Sequence, residues 1–264
     1  MGKKIAIIGG GNLGSSIAEG LLNSKFCKAN EITVTRRNTY SLQPLQQRGV
    51  IVRSDNNLAV KESDVIIVAV KPYQVMEVLG KMARTLTAKK ILISVVTGTS
   101  IQDMEEVVNK KLPLFRAMPN TAIAIQESMT CICARHAKED DISYVNSLFN
   151  TLGKVVTIDE KLMDAATILG ACGTAYAMRY IRANIQGGIE IGFDANTASL
   201  IAAQTVKGAA ELLLQKNAHP EQEIDKVTTP KGCTIAGLNE MEHRGFSSSL
   251  IRGVVASYNK IAKD

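Results

Sequence analysis

The sequence predicts an α/β domain built on a parallel sheet, followed by an all-helical domain, on three observations. A glycine-rich turn separates a short apolar run from a helical pattern near the N-terminus. Further short apolar runs then alternate with helical patterns, which is the signature of strands buried on both faces by crossover helices. After about Asp159 the strand signals fade and helical periodicity alone remains. The expected division is therefore 1–158 and 159–264.

The first element reads Lys4-Ile-Ala-Ile-Ile-Gly9-Gly-Gly11-Asn-Leu-Gly14. Ile5 to Ile8 suits a short buried strand, and Ser15 to Leu22 carries an amphipathic helix. Gly9-x-Gly11-x-x-Gly14 between them supplies a tight turn and close approach of backbone to phosphate. In strand-turn-helix order this spacing marks a Rossmann-like dinucleotide-binding domain, with the pyrophosphate on the helix N-terminus. The second strand, at Ile32–Val34, decides the dinucleotide. NAD calls for a carboxylate near its end to hold the adenosine ribose, yet no Asp or Glu occurs between Glu31 and Asp55. Arg36 and Arg37 stand there instead. Their planar, permanently charged forks match the 2′-phosphate of NADP.

Apolar runs at Val65–Val70, Lys90–Ser94, Leu112–Phe115 and Met129–Cys133 complete the strand pattern. Ligands of such sheets bind outside the carboxyl ends of the strands, so three following loops are candidate rims: Val70-Lys71-Pro72, Val96-Thr97-Gly98, and Arg116-Ala-Met118-Pro119-Asn120-Thr121. The second half carries helical patterns at Leu162–Leu169, Ala175–Ile191, Ala195–Gln215 and Ser247–Ala262, with Asp194 as an N-cap and Pro220 opening a short segment. Small residues on several faces of the Ala195 helix suit close packing, within the chain or against a second subunit. One polar loop, Thr228-Thr229-Pro230-Lys231-Gly232-Cys233-Thr234, precedes another helical stretch. Its hydroxyls and backbone N–H groups suit a carboxylate, but on the residues alone the favoured reading is a Thr N-cap on a short helix.

Composition narrows the class. The chain is 45% hydrophobic and 21% charged with a formal net charge of +6, as expected of an ordinary globular protein. Its Lys and Arg are dispersed and aromatics are only 4%, a poor fit to nucleic-acid binding and a better one to anionic small molecules. Cys27, Cys131, Cys133, Cys172 and Cys233 lack metal-ligand spacing and read as reduced thiols, and no metal is expected. His136, His219 and His243 are scattered and read as surface residues. No apolar run reaches membrane-spanning length, and the Ile5–Ile8 run is too short for a signal-peptide core, so a cytoplasmic protein without membrane partners is expected.

The Gly9-Gly-Gly11-Asn12-Leu13-Gly14 turn, Val70-Lys71-Pro72, Arg116-Ala-Met-Pro-Asn-Thr121 and Thr229-Pro-Lys-Gly-Cys-Thr-Ile-Ala-Gly237, in this order, resemble pyrroline-5-carboxylate reductases over essentially the whole chain. That family reduces a cyclic imine, 1-pyrroline-5-carboxylate, to proline with NADPH or NADH, the last step of proline biosynthesis. The resemblance implies that Gly9, Gly11, Asn12, Leu13 and Gly14 hold the pyrophosphate and that Asn56 approaches the adenosine part. It places Val70, Lys71, Pro72, Met118, Pro119 and Asn120 along the nicotinamide. Thr229, Gly232, Cys233 and Thr234 would hold the substrate carboxylate and ring, with Thr234 as the catalytic hydrogen-bonding group near the imine. It also implies a helical homodimer, in larger rings in some members, with 159–264 as the substrate-binding and dimerisation domain.

Two departures accompany the match. The family's Pro-Gly-Gly-Thr-Thr becomes Pro230-Lys231-Gly232-Cys233-Thr234, and its Ser-Gly-Ser-Gly-Pro-Ala-Tyr becomes Gly170-Ala-Cys172-Gly-Thr174-Ala-Tyr176. The rival readings are a β-hydroxyacid dehydrogenase, another imine reductase, and a non-catalytic NADP-binding regulator. The first uses a lysine where this chain has Arg179, which is too basic to exchange a proton near neutral pH. A cyclic imine asks less of the protein, since its nitrogen takes a proton from water or a hydroxyl, and positioning supplies most of the catalysis.

Overall fold

A computed structural model describes residues 2–261; Ala262, the end of the last expected helix, lies outside them. The chain forms two compact units, one reaching to Cys172 and taking in Lys260 onward, the other spanning Gly173–Asn259.

The first unit is a single sheet between two helical layers. Its strands are β1 (Ile5–Ile8), β2 (Ile32–Thr35), β3 (Ile51–Arg53), β4 (Val65–Val68), β5 (Ile91–Ser94), β6 (Leu114–Met118), β7 (Ser128–Arg135) and β8 (Gly153–Thr157), in the order β3-β2-β1-β4-β5-β6-β7-β8. All neighbours are parallel except β6 and β7. The helices are α1 (Asn12–Asn23), α2 (Gln43–Gln47), α3 (Asn56–Glu62), α4 (Val75–Met82), α5 (Ile101–Val108), α6 (Glu139–Asn150) and α7 (Met163–Ala166). The pleat sorts β1 between the layers: Ile5 and Ile7 pack with Ile17 and Leu21 of α1 and Phe149 of α6, while Ala6 and Ile8 pack with the side that holds Leu79 of α4 and Met104 of α5. Both faces are thus apolar, which is why these strands read as continuous rather than alternating runs.

Four expectations are corrected. The first helix begins at Asn12 rather than Ser15, because the bare Gly14 lets its first turn lie on the Gly9 carbonyl. The sheet is not wholly parallel, and β3 and β8 join it beyond the expected runs. The fourth correction concerns Arg116, which lies inside β6 rather than in the loop after it. Its charge interrupts the apolar pattern and is met within the fold: Nη1 lies 3.2 Å from Glu160 and Nη2 3.8 Å from Asp164. The same Glu160 oxygen accepts the Ile101 N–H at the start of α5 (2.7 Å).

After α7 the backbone widens into a π-helical turn, Thr167–Cys172, and continues directly into α8 (Gly173–Glu190). The Gly170–Thr174 interruption between the two expected helical patterns is therefore a widened turn and not a break. The second unit comprises α8, α9 (Ala195–Lys216), α10 (Pro220–Lys226), α11 (Cys233–His243) and most of α12 (Phe246–Ile261). Asp194 caps α9 through the N–H groups of Asn196 and Thr197, as its position predicted. Among the described residues no side chain of α8, α11 or α12 is buried, and Ile191, Leu200 and Leu214 are each at least 70% exposed.

Candidate active site

The glycine turn is built by sterics that can be checked atom by atom. Gly9 adopts φ +110°, a left-handed conformation open to glycine, and a Cβ there would sit 2.5 Å from the Ala69 carbonyl oxygen beyond β4. At Gly14 a Cβ would fall 2.1 Å from the Gly9 carbonyl oxygen. Gly11 differs: it is extended, caps α1 without a side-chain bond, and has nothing within 4 Å of a Cβ position. The first and third glycines hold strand against helix, while the second leaves clear space at the N-terminus of α1. That cradle, with open N–H groups and the positive end of the helix dipole, fits a dinucleotide pyrophosphate.

The carboxyl ends of the strands bring most of the expected residues to one side of the sheet. β1 ends at the turn, and the Ala69 N–H donates to the Ile8 carbonyl (2.8 Å), so Val70 follows alongside Gly9. Lys71 is exposed and extended ahead of Pro72, which opens a 3₁₀ turn. Arg36 leaves the end of β2 and its Nη1 donates to the Gly10 carbonyl (2.9 Å), tying the guanidinium to the turn. Arg37 is exposed; it assists Lys81, the larger influence, in holding the Glu77 carboxyl below its ordinary range. The Arg36 N–H bonds the Arg53 carbonyl (3.0 Å). The chain then reaches Asp55, which caps α3, and Asn56, the first residue of that helix.

Met118 ends β6, and Pro119 and Asn120 follow it; Met118 and Pro119 are buried. Asn120 caps a 3₁₀ turn, Thr121–Ile125, which packs so closely on α1 that a Cβ at Gly20 would lie 2.4 Å from the Ile123 carbonyl oxygen. The Asn120 N–H donates to Ser128 Oγ and its Nδ2 to the Gly170 carbonyl (3.2 Å), the second a bond across 50 residues of sequence that carries no local signal.

The Thr229–Thr234 loop belongs to the second unit. Gly232, not a threonine, caps α11 and offers no side-chain bond, so the expected Thr cap is replaced by open backbone N–H groups. The Gly232 N–H donates to the Thr229 carbonyl (2.9 Å), and a Cβ at Gly232 would meet Thr229 Oγ1 at 2.5 Å. Thr228 Oγ1 instead donates to the Ile224 carbonyl (2.8 Å). Lys231 is left-handed at φ +60°. Cys233 and Thr234 begin α11.

Among the described residues no group of His, Cys, Asp and Glu is arranged to hold a metal ion, and no helix is long and apolar enough to cross a membrane. All five cysteines are free, and the three histidines are exposed. Burial, helped by Glu31, pushes the Cys27 thiol up to about 11, and burial, helped by Glu160, does the same for Cys133. Both are protonated and poorly nucleophilic at neutral pH.

Comparison with known proteins accords with this arrangement. The family model described as "Pyrroline-5-carboxylate reductase dimerisation" matches residues 160–264, and "NADP oxidoreductase coenzyme F420-dependent" matches residues 4–98. Pyrroline-5-carboxylate reductase 1 of Dictyostelium discoideum is 47% identical over 270 residues; the alignment takes in 98% of this chain and 49% of that protein, so the chain spans about half of its length. Pyrroline-5-carboxylate reductase 2 of the same organism is 43% identical over 99% of this chain and 93% of its own. The crystal structure of Plasmodium falciparum pyrroline carboxylate reductase with NADP bound superposes with a TM-score of 0.90 at 28% identity, covering 98% of this chain and 97% of that one.

Proposed function

The chain belongs to the pyrroline-5-carboxylate reductase family, and from that premise we propose that it reduces 1-pyrroline-5-carboxylate to proline with NADPH. The observation that carries the cofactor half is the open space over Gly11 at the head of α1, beside a guanidinium fixed to the Gly10 carbonyl. NADPH, when bound, supplies the hydride. Gly9, Gly11, Asn12, Leu13 and Gly14 hold its pyrophosphate, Arg36 and Arg37 its 2′-phosphate, and Asn56 approaches its adenosine. Val70, Lys71, Pro72, Met118 and Pro119 wall the nicotinamide end and exclude water.

The functional division stands at 158/159, with 159–264 binding substrate and forming a homodimer; the dimerisation match beginning at residue 160 supports it. Thr229, Gly232 and Cys233 receive the substrate carboxylate and ring at the uncapped start of α11. Thr234 donates a hydrogen bond toward the imine nitrogen, which is protonated more readily than a carbonyl oxygen and needs no strongly acidic partner. The exposed apolar residues of α8, α9 and α12 support burial against a second copy, and the protein works in the cytoplasm.

The test is the initial rate of NADPH oxidation with pyrroline-5-carboxylate, repeated with NADH at matched concentration. Turnover that prefers NADPH is the expected result; absence of turnover in protein that binds NADPH favours the regulator reading. Arg37→Ala is expected to raise the KM for NADPH by about tenfold, one charge-assisted contact, and to leave the KM for NADH unchanged. Arg36→Ala should weaken both cofactors, since it also frees the Gly10 carbonyl. Equal effects of Arg37→Ala on the two cofactors would remove it from the phosphate site. Thr234→Val is expected to cut kcat by about 10²-fold with NADPH affinity intact; a lost affinity for NADPH would show that Thr234 serves the cofactor instead.

A further inference from the structure

Asn120 stands at the meeting of three segments, and each of its hydrogen-bonding groups is engaged by the protein. Its backbone N–H donates to Ser128 Oγ (3.1 Å) at the start of β7, and its carbonyl accepts the Ile123 N–H (3.2 Å). Its side-chain Oδ1 accepts the Ala122 N–H (3.0 Å), and Nδ2 donates to the Gly170 carbonyl (3.2 Å). Ser128 is itself only 2% exposed and lies beside the fully buried Thr130 (3.4 Å between hydroxyls), so the anchor of the Asn120 backbone is rigid.

Gly170 sits inside the π-helical turn Thr167–Cys172. A π turn displaces its carbonyls from the α-helical ladder, and such turns recur at functional sites. Here an amide from the loop after β6 meets one of those carbonyls. The other end of the same side chain caps the 3₁₀ turn that packs on α1, the helix whose N-terminus carries the open glycine cradle. A single planar amide therefore links the end of β6 at Met118-Pro119, the pyrophosphate helix and the π turn.

The geometry assigns Asn120 as a positioning residue that clamps the Met118-Pro119 wall to the π turn through Gly170, rather than as a direct reader of the cofactor. This inference rests on the reductase reading for its catalytic consequence, and on the hydrogen bonds alone for the clamp. The nicotinamide wall then owes its position to an amide committed to protein groups. Loss of the clamp misplaces the reacting carbon more than it weakens binding, which is the pattern of a geometric contribution to rate.

Asn120→Ser separates the two roles of the side chain. Serine still caps the 3₁₀ turn but is too short to reach Gly170; Asn120→Asp, a second variant, keeps the length and the acceptor and loses the donor. In both, kcat with pyrroline-5-carboxylate is expected to fall about tenfold or more, with the Kd for NADPH, read by fluorescence titration, within about threefold of the parent. Hydrogen exchange of residues 167–172, measured without cofactor, should accelerate about tenfold while that of β1 stays unchanged. An NADPH Kd raised in step with the loss of activity, with exchange at 167–172 unaltered, would overturn the clamp in favour of direct cofactor contact. Faster exchange with unchanged kcat would overturn its positioning role. If the parent protein reduces no pyrroline-5-carboxylate at all, the reductase reading fails, and the exchange comparison still decides the clamp.

Discussion

Gly11→Ala is expected to leave the folded protein almost as stable as the parent, at a cost below about 1 kcal/mol for a poorer helix cap, while raising the Kd for NADPH by about 10²-fold. Nothing lies within 4 Å of its Cβ position, and its φ of −84° suits any residue, so a methyl group there meets only the ligand. Gly14→Ala is expected to lose both properties, because its methyl would lie 2.1 Å from the Gly9 carbonyl oxygen. Overpacking of backbone on backbone costs about 1–3 kcal/mol, and separation of β1 from α1 dismantles the cradle. The pair is read by thermal unfolding and NADPH titration on the same samples. A Gly11→Ala protein that binds NADPH normally would mean that the pyrophosphate does not approach this turn.

The second large effect is expected at Arg116. The side chain is 7% exposed, is held by Glu160 and Asp164, and has a buried Nε without a partner among the described residues. Arg116→Ala leaves a cavity in β6 and takes away the counter-charge that positions the partly exposed Glu160 over the start of α5; a loss of about 3 kcal/mol follows, most of it from the lost packing of the buried side chain. Arg116→Met combined with Glu160→Gln should cost much less, since it replaces both charges while keeping most of the volume. Denaturant titration of the three proteins measures this. A cost under about 1 kcal/mol for Arg116→Ala would show the ion pairs to be no stronger than surface ones.

The turn and the strand-helix alternation were legible because each is a local pattern: a spacing of glycines, a run of β-branched residues. Arg116 was misread because one charge inside a strand looks like the strand's end, and its partner Glu160 becomes visible only once the segment after β8 lies against β6 and the start of α5. The π turn escaped for a related reason. Small residues at Gly170–Gly173 weaken helical periodicity, and the bond that braces the turn comes from Asn120, which no local window contains. β3 and β8 are the sheet's two edge strands and are only partly buried, so they lack the continuous apolar run that marks the strands between them.

The strand order has a consequence for how the chain is made. β1 is synthesised before the other strands of this sheet yet lies between β2 and β4, so its second flank stays bare until Val65–Val68 has been synthesised. Through that interval the nascent chain carries Ile5–Ile8 with unpaired backbone groups along one edge, the kind of surface on which unfinished chains associate. The glycine cradle is finished only with the Ala69 carbonyl beside Gly9. Until β4 has joined β1, the sheet therefore has no completed cradle through which a bound cofactor could stabilise it.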